Sequence, residues 1–326
     1  MSTVETVRGP VDTAELGPTL MHEHVFVLST EHVQNYGADD WWDEDERVAD
    51  AVDKLNALKA LGIDTIVDPT VWGLGRYIPR IQRVAEQTDI NIIVATGLYT
   101  YDELPHQYEH RGPGLLVDLP VDPMVTDFRR DVETGIAGTG VHAAFLKCVV
   151  EAKGLTPGVE RNLRACAATH RETGVPITVH TSSPTQAGRI AMRVFGEEGV
   201  DLSKVVIGHA GDSNDLDYLK ELADAGCLLG MDRFGLDIYN PTEDRVGTIV
   251  ALAEQGYADR MVLSHDASCY IDYFPGDAQA AVAQLQPNWN FTHISNDVLP
   301  ALRERGVSDE QVRQMLVEAP RRYFER

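Results

Sequence analysis

What most restricts the folding of this chain is a recurrence. Short apolar, β-branched segments alternate with longer amphipathic ones, at residues 19–25, 64–68, 92–96, 143–149, 176–180, 205–209, 227–231 and 261–265. Most are near-continuous apolar runs, as expected of parallel strands buried on both faces. The stretches between them carry helical signals. Residues 45–61 place Val48, Val52, Leu55 and Leu58 at helical spacing and stop at Gly62, while residues 213–225 open with Ser-Asn-Asp and stop at Gly226. Ser308 and Gln311 form a capping box for a last helix ending before Arg326, and Gly174 and Gly306 stand where helix C-termini are expected. Eight strands, each followed by helical sequence, imply a closed (β/α)8 TIM barrel, an α/β fold. No linker, repeat or low-complexity tract divides residues 1–326, so one domain is expected. A doubly wound open sheet is the alternative, but it carries a glycine-rich turn after its first strand, where this chain has Met-His-Glu-His. The long loops at 29–43, 98–122, 235–244 and 268–292 follow the first, third, seventh and eighth strands. In a barrel they build the C-terminal face, where active sites sit.

Composition removes several function classes. A net charge of −23 repels phosphate backbones, so no nucleic-acid partner is expected, and solubility accounts for the acidity. No apolar run approaches the ~20 residues of a membrane span, and residues 1–20 lack an apolar core behind a basic start. Cys148, Cys166, Cys227 and Cys269 are scattered, which indicates neither a disulfide framework nor a thiolate zinc site and points to a reducing cytoplasm.

Six ligand-type residues fall near the C-terminal ends of five of the strands. His22 and His24 lie two apart in the first, so both face one side and Glu23 faces the other, outside the chemistry. Lys147 interrupts the apolar fourth strand; His180 ends the fifth, His209 the sixth, and Asp266 follows the eighth. Each has a bland reading. A lone histidine is commonly a hydrogen-bonded core residue, and an aspartate after a strand can cap a helix. Lys147 resists such a reading, because burying an unpaired ammonium in an apolar strand is costly. Around a closed barrel the six converge, and their donor types suit a first-row metal centre. By strand alternation His265 points away from Asp266 and stays outside that centre.

The chain resembles the phosphotriesterase-like lactonase family of the amidohydrolase superfamily. The resemblance runs through Thr-Leu-Met-His-Glu-His at 19–24, Phe-Leu-Lys at 145–147, Val-His-Thr at 179–181 and Ile-Gly-His-Ala-Gly-Asp at 207–212. It continues with Asp-Arg-Phe-Gly-Leu-Asp at 232–237, Ser-His-Asp at 264–266 and Ala-Pro-Arg-Arg-Tyr-Phe at 319–324. It implies two divalent ions (zinc, cobalt, iron or manganese). Residues matching His22, His24 and Asp266 hold the more buried ion, those matching His180 and His209 the more exposed one, and Lys147 bridges both as a carbamate. A hydroxide bridging the ions then attacks, and Asp266 shuttles its proton. Tyr99 matches a tyrosine near that hydroxide and Arg233 an arginine lining the lactone pocket. Their bland readings are loop packing for Tyr99 and a salt bridge to Asp232 or Asp237 for Arg233. Tyr101 is left unassigned. The aromatics of the eighth loop, Tyr273 and Trp289 first among them, are candidates for an acyl-chain channel, for packing or for a dimer contact. Ala267 stands where the family often has a bulkier residue, which bears on substrate breadth.

The expected activity is hydrolysis of N-acyl homoserine lactones and related γ- and δ-lactones, of quorum-quenching type, with promiscuous organophosphate hydrolysis by a homodimer. A dedicated phosphotriesterase and a non-catalytic ligand-binding barrel are the alternatives. Mononuclear deaminase-type barrels share the His-x-His start but do not need Lys147.

Overall fold

A computed structural model describes residues 2–37, 41–274 and 277–325. Its central sheet lays the strands Thr19–Leu20, Thr65–Asp68, Asn91–Gly97, Phe145–Val150, Ile177–Thr181, Val205–Gly208, Leu228–Met231 and Met261–Leu263 side by side in chain order, each parallel to the next. The first and last strands meet. Met21 N–H donates to Leu263 O at 3.2 Å, Asp266 N–H to His22 O at 3.0 Å and His24 N–H to Ala267 O at 2.8 Å. Beyond these bonds His24–Val27 pairs in parallel with Ser268–Ile271, which completes a (β/α)8 barrel. The first strand is therefore divided rather than continuous over 19–25. Its neighbour turns at Asp266, whose φ of 55° breaks the ladder opposite residues 21–23.

Alternation along the strands builds two packed layers. Outward residues such as Leu146, Cys148, Ile177, Val179 and Ile207 meet the helices. Inward residues Val67, Ile93, Ala95, Phe145, Val206 and Val262 fill the lower barrel. Its floor is closed by Ala319, Tyr323 and Phe324 of the last helix, Ala319–Phe324, with Tyr323 Oη 2.8 Å from Thr178 Oγ1. Phe145 is fully buried and meets Phe324 edge to face at 6.3 Å. Phe145→Ala is therefore expected to cost about 3–5 kcal/mol through lost burial and a cavity; a urea midpoint unchanged from wild type contradicts this packing.

The helix signals in the sequence hold, with shifted boundaries. Glu44–Ala60 is capped by Asp43, and Leu216–Asp224 starts at Asp215, whose carboxylate accepts from the N–H groups of Asp217 and Tyr218. The Ser308–Gln311 capping box is present, and Gly174 ends Pro157–Thr173 at φ 74°. Three loops hold more structure than their composition suggests: 29–43 contains the helical turns Thr30–His32 and Val33–Gly37, 98–122 contains the turn of helix His106–Glu109, and 268–292 contains the nine-residue helix Asp277–Leu285. Positions 38–40 of the 29–43 loop and 275–276 of the 268–292 loop lie outside the described residues. An N-terminal hairpin, Thr3–Thr6 with Gly9–Asp12, was not anticipated. Among the described residues no helix is long and apolar enough to cross a membrane.

Candidate metal centre and active site

The alternation that puts Phe145 in the barrel also puts Lys147 inside, one layer higher, beside Gly97 of the third strand. Gly97 is required there: at its φ of 140° a Cβ would lie 2.0 Å from Lys147 O. His180 reaches the same region from the fifth strand. His209 and Asp266 follow the sixth and eighth strands in left-handed conformations, φ 63° and 55°. Non-glycine residues persist there only when their surroundings hold them.

All six candidate ligands come together, in two groups. His22 Nε2 and His24 Nε2 lie 3.4 and 3.3 Å from Asp266 Oδ1, and Lys147 Nζ is 3.2 Å from His22 Nε2. His180 Nδ1 and His209 Nε2 face each other at 2.9 Å. The rings of His22 and His209, one from each group, are 4.9 Å apart. Residue exposures are 2% for His22, 6% for His24, 3% for His180 and 0% for His209, so side-chain burial does not rank one group as deeper.

The outward nitrogen of each histidine is occupied. Asp232 accepts from two rings, His22 Nδ1 through Oδ2 and His209 Nδ1 through Oδ1, each at 3.0 Å. Glu151 Oε1 is 2.9 Å from His180 Nε2. His24 Nδ1 meets Thr70 Oγ1 at 2.7 Å, and that hydroxyl donates to Asp68. For His22, His180 and His209 such partners fix the tautomer and turn the other nitrogen's lone pair inward, as a metal ligand requires. None of these four reads from the sequence as a histidine partner; Asp232 stands there as a candidate partner of Arg233 instead. For Asp232 and Glu151 a signal existed, since each continues the inward alternation one step past its strand.

Burial sets most of the protonation states. It lowers Lys147 to about 8, lowers His180 to about 4, and depresses His22 and His209 as well. It also disfavours charge on His24, but Asp266 and Asp68 outweigh it and raise that ring to about 9. For Asp266 burial resists ionisation, yet His22, His209, His24 and Arg233 hold the carboxyl well below its usual range.

Arg233 pairs with neither Asp232 nor Asp237. Its Nε donates to Asp266 Oδ2 and its Nη1 to Asp212 Oδ2, both at 3.0 Å. Asp232 is turned to the histidines, and Asp237 accepts from the backbone and side chain of Thr242. A cavity of about 360 Å³ opens above the centre, lined by Tyr99, Tyr101, Arg233, Leu236, Tyr273 and Trp289 among others. Tyr99 Oη is 2.8 Å from Tyr101 Oη and 3.3 Å from His180 Nδ1, so Tyr101, unassigned from sequence, belongs to the pocket wall. Trp289 Nε1 donates to Asp266 O at 3.0 Å, while Tyr273 is half exposed at the rim. A second cavity of about 430 Å³ borders the first along Ile271, Phe274, Val282 and Trp289.

Comparison with known proteins agrees with this geometry. The model of the phosphotriesterase family matches residues 2–324. A phosphotriesterase homology protein of Mycobacterium tuberculosis is 56% identical over 326 residues, spanning 100% of this chain and 98% of its own. An aryldialkylphosphatase of Saccharolobus solfataricus is 37% identical over 315 residues, 96% of each chain. Among solved structures, the Mycobacterium tuberculosis phosphotriesterase superposes with a TM-score of 0.96, at 56% identity and covering 99% of this chain and 98% of that one. A structure from the molecular engineering of organophosphate hydrolysis activity from a weak promiscuous lactonase template gives 0.89, at 32% identity and 99% of each chain. The chain belongs to the phosphotriesterase family of metal-dependent ester hydrolases.

Proposed function

We propose that this protein is a lactonase, opening N-acyl homoserine lactones and related γ- and δ-lactones, with organophosphate hydrolysis as a secondary activity. The observation that carries the choice is the chain Asp266–Arg233–Asp212. Asp266 would accept a proton from the attacking water. Arg233 cannot take that proton onward, because a guanidinium between two carboxylates stays charged at any working pH. The proton on Asp266 must return to the reactant. A lactone needs it: its leaving alkoxide is a strong base and stays tethered at the site. An aryl phosphotriester releases a stable phenolate that needs no proton. The solved structure from the engineering of a lactonase template supports the same reading.

The donor set fits a pair of ions: His22, His24 and Asp266 would hold one, His180 and His209 the other. Nitrogen and carboxylate donors accept zinc, cobalt, iron or manganese according to supply. When bound, the ions acidify a water to nucleophilic strength at neutral pH and polarise the substrate's carbonyl oxygen. Lys147 would bridge them as a carbamate. Its neutral amine adds to carbon dioxide, forming an N–C bond as one C=O π bond opens and releasing one proton, and burial, by lowering the ammonium to about 8, raises the share of that neutral amine at ordinary pH. Tyr99 Oη would orient the carbonyl beside His180, and Arg233 would line the lactone ring's side of the cavity. Tyr273 and Trp289 would flank the acyl chain on its way to the second cavity. The homodimer and the cytoplasmic setting belong to the same proposal, and four free, buried cysteines agree with a reducing compartment.

The second reading is a dedicated phosphotriesterase, favoured by the relative named aryldialkylphosphatase. Turnover of an N-acyl homoserine lactone and of paraoxon by one metal-loaded preparation decides between them. The lactonase reading expects kcat/KM for the lactone to exceed that for paraoxon; the reverse order establishes the second reading.

A further inference from the structure

Glu23 stands between His22 and His24 but on the opposite side of the chain, with no exposed surface. Its carboxylate gathers four donors from one short stretch. Oε1 accepts from Ser264 Oγ at 2.9 Å, the His265 N–H at 2.8 Å and His265 Nδ1 at 2.6 Å, and Oε2 accepts from the Ala267 N–H at 3.0 Å. His265 Nε2 accepts from the Ile294 N–H at 2.9 Å, so Nδ1 is the nitrogen that donates, toward Glu23. Ser264 Oγ in turn accepts from the His22 N–H at 2.8 Å.

The one residue this carboxylate skips is Asp266. The amides it binds, of His265 and Ala267, flank Asp266 and fix the backbone on both sides of it. Asp266 N–H donates to His22 O at 3.0 Å. Its backbone is left-handed, at φ 55°, a conformation aspartate tolerates better than most side chains but that these flanking bonds hold in place.

We propose that Glu23 is the positioning residue of Asp266. One buried carboxylate behind the strand sets the backbone that aims Asp266 Oδ1 at His22 and His24, and Oδ2 at Arg233. His265, outside the centre as its alternation indicated, is an arm of the same clamp. The inference rests on the metal-site reading above. A residue that merely riveted the first strand to the eighth would affect stability and nothing else.

Glu23→Gln keeps the shape but replaces one acceptor oxygen with a donor facing N–H groups. The comparison is Leu222→Ala, a fully buried residue on the outer helix Leu216–Asp224, which lowers stability away from the site. For wild type and both variants, Tm, cobalt dissociation constants by chelator competition, and kcat and KM on a lactone are measured. Glu23→Gln is expected to weaken one cobalt site by about tenfold to a hundredfold and to lower kcat at saturating cobalt with KM unmoved. Leu222→Ala is expected to lower Tm alone. If Glu23→Gln changes Tm alone, the inference is overturned. If that variant does not fold, His265→Ala, which removes one of the four donors and whose ring bonds Glu23 and Ile294 and no candidate ligand, decides by the same readouts: a weakened cobalt site supports the clamp and an unchanged one overturns it. Wild-type protein that binds no cobalt defeats the metal reading itself, which is a separate outcome.

Discussion

Lys147→Ala is expected to lose the paired ions, with metal content falling from two per chain to one or none. Lactone turnover should fall by about a thousandfold or more, corresponding to ~4 kcal/mol of transition-state stabilisation. Asp266 lies against His22, His24 and Arg233, and Asp232 is engaged with the outer nitrogens of His22 and His209. A carbamate on Lys147 would then be an anion able to serve both groups, because its nitrogen is 3.2 Å from His22 Nε2 and the His180–His209 group adjoins that ring. Alanine removes it and leaves a void that no neighbouring carboxylate fills. Elemental analysis of gel-filtered protein beside a lactone assay reads both effects. Two ions fully retained would defeat the bridging role of Lys147.

The second large effect is expected from Asp266→Asn. The amide keeps the size of the carboxylate but loses its charge and its ability to accept the proton of the attacking water, and because Asp266 is also a proposed metal ligand the two proteins are compared at matched metal content. General-base catalysis is worth roughly 10²–10⁴-fold, so kcat should drop by about three orders of magnitude. KM should change little, because the pocket walls at Tyr99, Leu236 and Trp289 are untouched. The Arg233–Asp212 pair survives the substitution and holds the guanidinium in place. A kcat within about tenfold of wild type (~1.4 kcal/mol) would mean that the proton leaves by another route.

The barrel was legible because its determinants are local and periodic. Parallel strands buried on both faces read as apolar runs, and ligands one layer above the inward core fall at strand ends, where the eye can line them up. Thus Lys147 stands out above Phe145, and His180 above Thr178. What could not be read depends on pairings between distant side chains. Asp232 looks like an ordinary acidic residue after a strand until His22 and His209 are seen to share it. Arg233 has Asp232 and Asp237 near in sequence, yet its partners are Asp212 and Asp266, because the sixth and eighth strands pair with the seventh on either side and bring their ends beside it. Glu23 is the sharpest case: alternation placed it off the metal face correctly, but its clamp on residues 264–267 is a contact across more than two hundred positions. Helix Asp277–Leu285 escaped for a different reason. Its Ala- and Gln-rich turns carry little amphipathic contrast, between a Pro-Gly pair and a Pro-Asn-Trp stretch that read as loop.

The most direct test of the central claim is an anomalous-scattering crystal structure of metal-loaded protein. The account predicts two peaks per chain, one among His22, His24 and Asp266 and one between His180 and His209, with density extending beyond Lys147 Nζ to meet both. A single peak, or a bare amine at Lys147 beside two peaks, would contradict it.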